Sequence, residues 1–160
     1  MSKIRVNAIE NLAAGMPDQP AQSCVFVGQV NGYGSTNTVI RRFTTVYLNQ
    51  GTDITYADSP TLGASFTVNK SGVYAMSFTD GFTAAADMGI SRNSNQLTTG
   101  IGAINGADRI AEVTTPLANT RGACSVTRYL QAGDVIRPHN GGTAVGTQTA
   151  SVMFTMSRVS

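Results

Sequence analysis

The chain has 160 residues, a formal charge of +2, 12% charged residues and 17 glycines. A chain of this length can bury a substantial core within one domain. Its few Lys and Arg residues form no basic cluster, which argues against a nucleic-acid-binding protein. Its 41% hydrophobic content argues against a disordered one. The composition favours a rigid all-β protein with many turns.

Residues 1–21 differ from the remainder of the chain. Their four aliphatic residues stand in a polar context and are Ile4, Val6, Ile9 and Leu12. Glycine and proline follow and interrupt regular structure. We therefore predict an N-terminal attachment arm over 1–21 and a single domain over 22–160. The alternative is a short helix or strand that merely precedes the domain.

No targeting segment is evident in the sequence. The residues after Lys3 and Arg5 are too polar for the hydrophobic region of a signal peptide. No stretch approaches the roughly 20 apolar residues of a membrane span. We expect a protein that is made in a cytoplasm and does not enter a membrane.

Alternating apolar and polar residues predict eight to ten short strands from Ser23 onward, with turn residues about every ten positions. The predicted strands after the first cover 39–48, 54–56, 65–68, 73–82, 88–92, 109–113, 123–130, 135–136 and 150–156. The Gly- and Ala-rich residues 98–107 are expected to form a loop or a thin strand. This spacing is typical of a β-sandwich or a jelly roll.

The segment 65–82 has the strongest pattern and is predicted to be a hairpin that organises the sheet. Its inward-facing residues are predicted to be Phe66 and Val68 on the first strand and Tyr74, Met76 and Phe78 on the second. The residues Asn69–Gly72 between the strands have turn chemistry, because Gly72 is free to adopt positive φ.

The two cysteines, Cys24 and Cys124, are separated by 100 positions. Each lies in an alternating apolar run, where a free cysteine behaves as a small hydrophobic residue. We expect buried free thiols, with a disulfide as the alternative. Two cysteines do not by themselves identify a redox compartment.

Several motifs occur in a recognisable order. They are F-T-T-V-Y-L-N-Q-G (43–51), G-A-S-F-T-V-N-K-S-G-V-Y (63–74), Y-L-Q-A-G-D (129–134) and T-A-S-V-M-F-T-M (149–156). This succession, over residues 22–160, resembles the globular head of complement-type proteins, a branch of the tumour-necrosis-factor-like (TNF-like) jelly rolls. The resemblance implies a ten-strand jelly-roll sandwich that assembles as a compact homotrimer.

A trimer interface is suggested by strands with apolar or long side chains on both faces. Such strands are expected where a sheet meets partner subunits. The residues predicted at this interface are Val46, Leu48, Arg128 and Met153. Arg128 departs from the family pattern, which usually has an aliphatic residue in this strand.

No catalytic or metal-binding constellation is evident, and we expect no enzyme, no cofactor and no bound metal. The only histidine, His139, is predicted to be a surface turn residue. Asp58, Asp80 and Asp134 are predicted turn-formers. A cluster of Asp80 with Asp87 and Asp108 in adjoining loops is the alternative that would bind calcium. Trp is absent, and Tyr33 is the one ring considered as an exposed sugar platform, although covering the sandwich edge fits it better.

The opening S-K-I-R-V-N-A-I-E-N-L-A-A-G-M-P is similar to the N-termini of structural proteins from tailed bacteriophages. We therefore predict a virion structural protein: a trimeric capsid decoration (cement) protein whose arm binds the major capsid protein or another virion protein. The alternative is a receptor-binding tip of a head or tail fibre that recognises host-surface polysaccharide. A small polysaccharide-cleaving enzyme is a third, less favoured possibility.

Overall fold

The computed structural model describes residues 23–115, 119–142 and 151–160. The predicted arm, with Ile4, Val6, Ile9 and Leu12, lies outside the described residues. The boundary predicted between the arm and the domain therefore stays a prediction. Within the described ranges, no helix has the length and apolar character to cross a bilayer.

Within the described residues, ten strands form two five-stranded sheets, and every pairing among them is antiparallel. The strands are β1 (Cys24–Tyr33), β2 (Arg41–Gln50), β3 (Ile54–Ser59), β4 (Gly63–Val68), β5 (Gly72–Phe82), β6 (Ala86–Arg92), β7 (Arg109–Thr115), β8 (Thr120–Leu130), β9 (Val135–Asn140) and β10 (Met153–Arg158). Sheet 1 has the order β2-β1-β10-β5-β8, and sheet 2 has the order β3-β4-β9-β6-β7. The predicted ten-strand jelly-roll sandwich is confirmed.

The main core lies between the two sheets, where alternate side chains of each strand point inward. The inward rows predicted for 65–82 are confirmed, because all five side chains are at most 3% exposed. Phe66 of sheet 2 packs on Phe154 of sheet 1, with 4.4 Å between ring centroids. This contact between aromatic rings ties the two sheets together.

The predicted hairpin over 65–82 is wrong. β4 pairs with β3 and β9, whereas β5 pairs with β10 and β8. The turn between them therefore carries the chain from sheet 2 to sheet 1. Tyr74 closes this crossing by donating its hydroxyl hydrogen to the carbonyl of Lys70 at 2.6 Å. Alternation identifies a strand's buried face but not its neighbours, and here both buried faces point at the same core from opposite sides.

A β-bulge interrupts the pairing of β1 with β2. Phe26 aligns with Leu48 and Val27 aligns with Val46, so Tyr47 is the extra residue. Phe26 and Val27 are consecutive, so they lie on opposite faces of the sheet. Their partners Leu48 and Val46 therefore also align on opposite faces. Simple alternation would have placed those two side chains on the same face.

Three polar residues lie elsewhere than predicted. His139 is not a surface turn residue: it is in β9 and fully buried. Asp80 is not a turn-former: it is in β5 and forms a buried ion pair with Arg41. Asp58 is in β3 and pairs with Arg42. In each case a neighbouring residue typical of turns led to the prediction of a turn. The actual partner is distant in the sequence and could not be identified from it.

Two other predictions are confirmed wholly or in part. Asp134 forms a turn, since its carboxylate accepts a hydrogen bond from the amide of Gln131 at 2.9 Å. Cys24 and Cys124 are free thiols, but both are half-buried, not fully buried.

Candidate interaction surface

On its strands β1, β10, β5 and β8, the outer face of sheet 1 is almost free of charge. The outward positions of these four strands follow from the strand register and are Cys24, Phe26 and Gly28 on β1, Met153, Thr155 and Ser157 on β10, Val73, Ala75, Ser77, Thr79 and Gly81 on β5, and Arg121, Ala123, Ser125, Thr127 and Tyr129 on β8. Arg121 is the single charged side chain in this set. Depletion of charge is the compositional mark of the centre of a protein–protein interface.

The middle of this face is a shallow groove of about 360 Å³. Its outward lining consists of short side chains, namely Ala75, Ser77, Ser125, Thr127, Thr155 and Ser157. Short side chains allow another polypeptide to approach the sheet closely. Their hydroxyl groups can both donate and accept hydrogen bonds, so an approaching backbone could be satisfied there.

Apolar side chains lie exposed at both edges of the same sheet. On β2, Val46, Tyr47 and Leu48 are 50%, 48% and 41% exposed, and on β8, Tyr129 is 59% exposed. The ring of Tyr47 packs on Phe26, with centroids 4.8 Å apart. Single exposed apolar residues are common on monomeric proteins, but three in succession beside an uncharged face suggest a contact surface.

Three of the four residues predicted at the trimer interface lie on this surface or its β2 edge. Val46 and Leu48 are exposed on β2, and Met153 is half-buried on the outer face of β10. Arg128 is exposed on β8, where it aligns with the core residue Tyr74. β2 and β8 are separated by four strand spacings, or about 19 Å. The structure therefore does not bring Arg128 together with Val46 and Leu48 within one chain.

Sequence reasoning missed Tyr47 and Tyr129 as exposed rings. Each is flanked by apolar or long residues, in Val-Tyr-Leu and Arg-Tyr-Leu respectively, which resembles a strand buried on both faces. In the structure, Tyr129 points outward from sheet 1 and both rings lie on its edge strands, β2 and β8, which leaves them accessible. Tyr33, the ring considered as a sugar platform, is half-buried at the end of β1, as expected for a residue covering the sandwich edge.

The described part of the chain contains no group of three His, Cys, Asp or Glu side chains placed to hold a metal ion. The alternative calcium cluster does not assemble: Asp80 is buried with Arg41, Asp87 lies on β6, and Asp108 lies in the loop before β7. The thiols are not activated either. Burial raises the pKa of Cys124 to about 11 and also raises the pKa of Cys24.

No protein-family model matches the chain, and no curated protein matches it. Solved structures do match, among them three crystal structures of murine APRIL. At pH 8.0, pH 5.0 and pH 8.5 their identities are 12%, 14% and 14%, and their TM-scores are 0.54, 0.59 and 0.53. Each match covers 86% of this chain and 99% of the APRIL chain.

This chain has the TNF-like jelly-roll fold. Sequence identity this low establishes the fold alone. What the TNF-like chain does must therefore be argued from its own surfaces.

Proposed function

We propose that this protein is a homotrimeric structural component of a tailed-phage particle, a decoration protein that binds the shell through its N-terminal arm. The observation that carries the trimer is the uncharged outer face of sheet 1, flanked by exposed apolar residues at both edges. The phage assignment rests on the resemblance of residues 2–17 to phage structural proteins.

The chemistry of sheet 1 fits a ring of copies better than a two-fold dimer. A two-fold interface uses one self-complementary patch, whereas a ring joins two different patches head to tail. The β2 edge offers Val46, Tyr47 and Leu48, and the β8 edge offers Arg128 and Tyr129. Because these edges are about 19 Å apart on one sheet, each can meet the other edge of a neighbour. In such a ring of three copies, the short hydroxyl side chains at the centre of each sheet 1 would be enclosed by the neighbouring copies.

The position of the chain ends supports attachment from one end of such a trimer. The carbonyl of Ser23 accepts a hydrogen bond from Arg158, and the carbonyl of Ser160 accepts one from Val73. Both ends of the described chain thus lie at the same end of the sandwich. Three arms would leave a three-fold assembly in the same direction. Weak contacts of each arm would reinforce one another through high effective concentration, and binding would stabilise the shell by mass action.

The trimer is tested with a pair of matched substitutions. Leu48→Asp should convert a trimer into a monomer in sedimentation velocity, because it places a charge in the apolar β2 edge. Leu62→Asp is the control, since Leu62 is 42% exposed but lies between β3 and β4 at the other sheet. A wild-type monomer at micromolar concentration would refute the proposal, and so would equal effects of the two substitutions.

The attachment is tested by deleting residues 1–21. We expect a soluble trimer that no longer joins the particle. Unchanged incorporation would refute the arm's role. Copy number then separates the two virion functions: a decoration protein is present in many copies, whereas a receptor-binding tip is present as a few trimers and retains particles on host cells.

A further inference from the structure

The long connection between β6 and β7, residues 93–108, packs on the outer face of sheet 2. The amide of Val39 donates to the carbonyl of Leu97 at 2.8 Å, and Arg109 donates to the carbonyl of Gly102 at 3.0 Å. A single 3-10 turn, Ile101–Ala103, lies in its middle. A loop of this length usually has a function of its own. We call residues 93–108 the flap.

Four buried apolar residues in the flap or just before β2 do not belong to the main core. They are Val39, Ile40, Ile101 and Ile104, all at most 6% exposed. Ile101 lies so close to β6 that a Cβ on Gly89 would be 2.8 Å from its Cγ1. Buried apolar residues outside the main core are common under long loops. Opening the flap would expose its own buried residues, Ile101 and Ile104.

His139 joins the flap to the sheet. Its Nε2 is 2.7 Å from the carbonyl oxygen of Thr99 in the flap, and its Nδ1 is 3.0 Å from Oγ of Ser91 on β6. A carbonyl can only accept, so Nε2 carries the hydrogen. In the neutral ring, Nδ1 then accepts from the Ser91 hydroxyl. The ring is fully buried and is the chain's only histidine.

The charged groups on the elements around the ring do not favour a second proton. Burial is the largest effect on His139 and lowers its pKa. The hydrogen bond to Thr99 raises the pKa, and Arg137, two residues away on β9, lowers it. On β6, the Asp87 carboxylate is engaged by Thr114 at 2.7 Å. On β7, the Glu112 carboxylate pairs with Arg109 at 2.9 Å.

Beside the ring, Ile40 bridges His139 and precedes Arg41, whose charge is paired with Asp80. Two further charged residues lie where the flap rejoins the sheet. There Arg92 of β6 donates its backbone amide to the carbonyl of Asp108 at 2.7 Å. Neither residue makes a hydrogen bond to the ring, whose two nitrogens are taken by Ser91 and Thr99.

We propose that His139 is an acid-sensitive latch, which holds the flap closed over sheet 2 at neutral pH and releases it when the ring is protonated. This inference is independent of the proposed virion function. It concerns the sheet opposite to the proposed trimer interface, so it can fail while the trimer holds.

The direction of the effect follows from linkage. In the open flap the ring is hydrated and titrates near its ordinary pKa of about 6.5, whereas in the closed flap the pKa is lower. Above the pKa of the open state, the ring is neutral in both states, and its hydrogen bonds stabilise the closed flap to their full extent. As the pH falls from there towards the closed-state pKa, the opening equilibrium rises about tenfold per pH unit.

Amide hydrogen exchange provides the test, with His139→Gln as the matched control. A glutamine amide can donate to Thr99 and accept from Ser91, but it does not titrate. Comparing both proteins at each pH removes the intrinsic pH dependence of exchange. Between pH 6.5 and 4.5, protection of the Val39 and Ala103 amides should fall further in the wild type than in His139→Gln, by up to about tenfold per pH unit. Amides of Met76 and Phe78 in the core should remain protected.

Two results would overturn the latch. One is parallel protection of the wild type and His139→Gln across this range. The other is simultaneous loss of protection in the flap and the core, which is global unfolding. If His139→Gln does not fold, NMR titration of the single wild-type histidine decides: a ring that titrates near pH 6.5 while the Val39 amide stays protected refutes the latch.

Discussion

Arg41 and Asp80 form an ion pair that is completely removed from solvent between the two sheets. Nη2 of Arg41 is 2.7 Å from Oδ1 of Asp80, Nε bonds the other carboxylate oxygen, and both side chains are 0% exposed. Asn140 donates to the same carboxylate at 2.6 Å. Removing one partner of such a pair leaves an uncompensated buried charge.

We therefore expect Asp80→Asn to lower the free energy of unfolding by about 3–5 kcal/mol, because Arg41 loses its counter-charge. Urea denaturation measures the change. Asp58→Asn is the control: its pair with Arg42 is part-exposed, with side chains 18% and 20% accessible, and should contribute at most about 1 kcal/mol. Equal losses in the two variants would contradict the burial argument.

Tyr33 covers this ion pair and supplies the second prediction. The Arg41 guanidinium carbon lies 4.4 Å from the ring centroid, and the hydroxyl donates to the carbonyl of Gly142 at 3.0 Å and accepts from Asn140 at 2.9 Å. Burial raises the pKa of Tyr33, so the hydroxyl keeps its proton. Tyr33→Phe keeps the stacking but removes the hydrogen bonds to the Gly142 carbonyl and to one N–H of Asn140, whose other N–H stays bonded to Asp80; it should cost about 1–3 kcal/mol in urea denaturation.

Tyr33→Leu separates the two contributions of this residue. This substitution removes the hydroxyl and the cation–π contact together. The Tyr33→Leu protein should therefore be less stable than the Tyr33→Phe protein by about 0.5–2 kcal/mol. If the two variants are equally stable, the ring contributes nothing through Arg41.

The strands and their buried faces could be predicted from the sequence because they depend on local alternation. The rows led by Phe66 and Tyr74 are examples. Strand neighbours depend on contacts between distant residues, so the pairing of 65–82 was predicted wrongly. The same limit applies to His139 and Asp80. Their partners, Thr99 and Arg41, are 40 and 39 positions away. In the sequence, His139 stands between Pro138 and Asn140 and Asp80 precedes Gly81, and all three neighbours are residue types typical of turns.

The candidate surface was only partly predictable for a related reason. Val46 and Leu48 were recognised because they are apolar at positions that simple alternation assigns to the second face of the strand. The bulge at Tyr47 changes that alternation, and no residue at 46–48 marks it in the sequence. Tyr129 is exposed because it points outward from sheet 1 on β8, the last strand of that sheet.

Gly63 gives the third prediction. Its φ is +87°, and an added Cβ would lie 2.6 Å from the carbonyl oxygen of Ile40. Gly63→Ala should therefore cost about 2–4 kcal/mol, from strain in the left-handed region together with overlap. Gly133 has a similar φ of +96° but open space around its Cβ position. Gly133→Ala should cost only the strain, about 1–2 kcal/mol. Thermal or urea unfolding compares them, and equal losses would show that overlap at Gly63 is relieved by movement of Ile40.

The fourth prediction concerns the two thiols. The thiolate is the reactive form. With its pKa raised to about 11, Cys124 is about one part in a thousand thiolate at pH 8, against roughly one part in four for an ordinary thiol. Iodoacetamide at pH 8 should therefore label Cys124 on the order of a hundredfold more slowly in the folded than in the urea-unfolded protein. The rate should rise about tenfold per pH unit up to that pKa. Peptide mapping by mass spectrometry assigns each site.

Cys24 connects this measurement to the proposed trimer. It lies on the outer face of sheet 1, whereas Cys124 aligns with the core residue Phe78. If sheet 1 is the interface, Leu48→Asp should accelerate labelling of Cys24 and leave that of Cys124 unchanged, because only the first is uncovered by dissociation. Labelling of Cys24 at the same rate in both proteins would show that its side of sheet 1 is open to solvent in the wild type. Acceleration at both sites would instead indicate that the substitution loosens the whole sandwich.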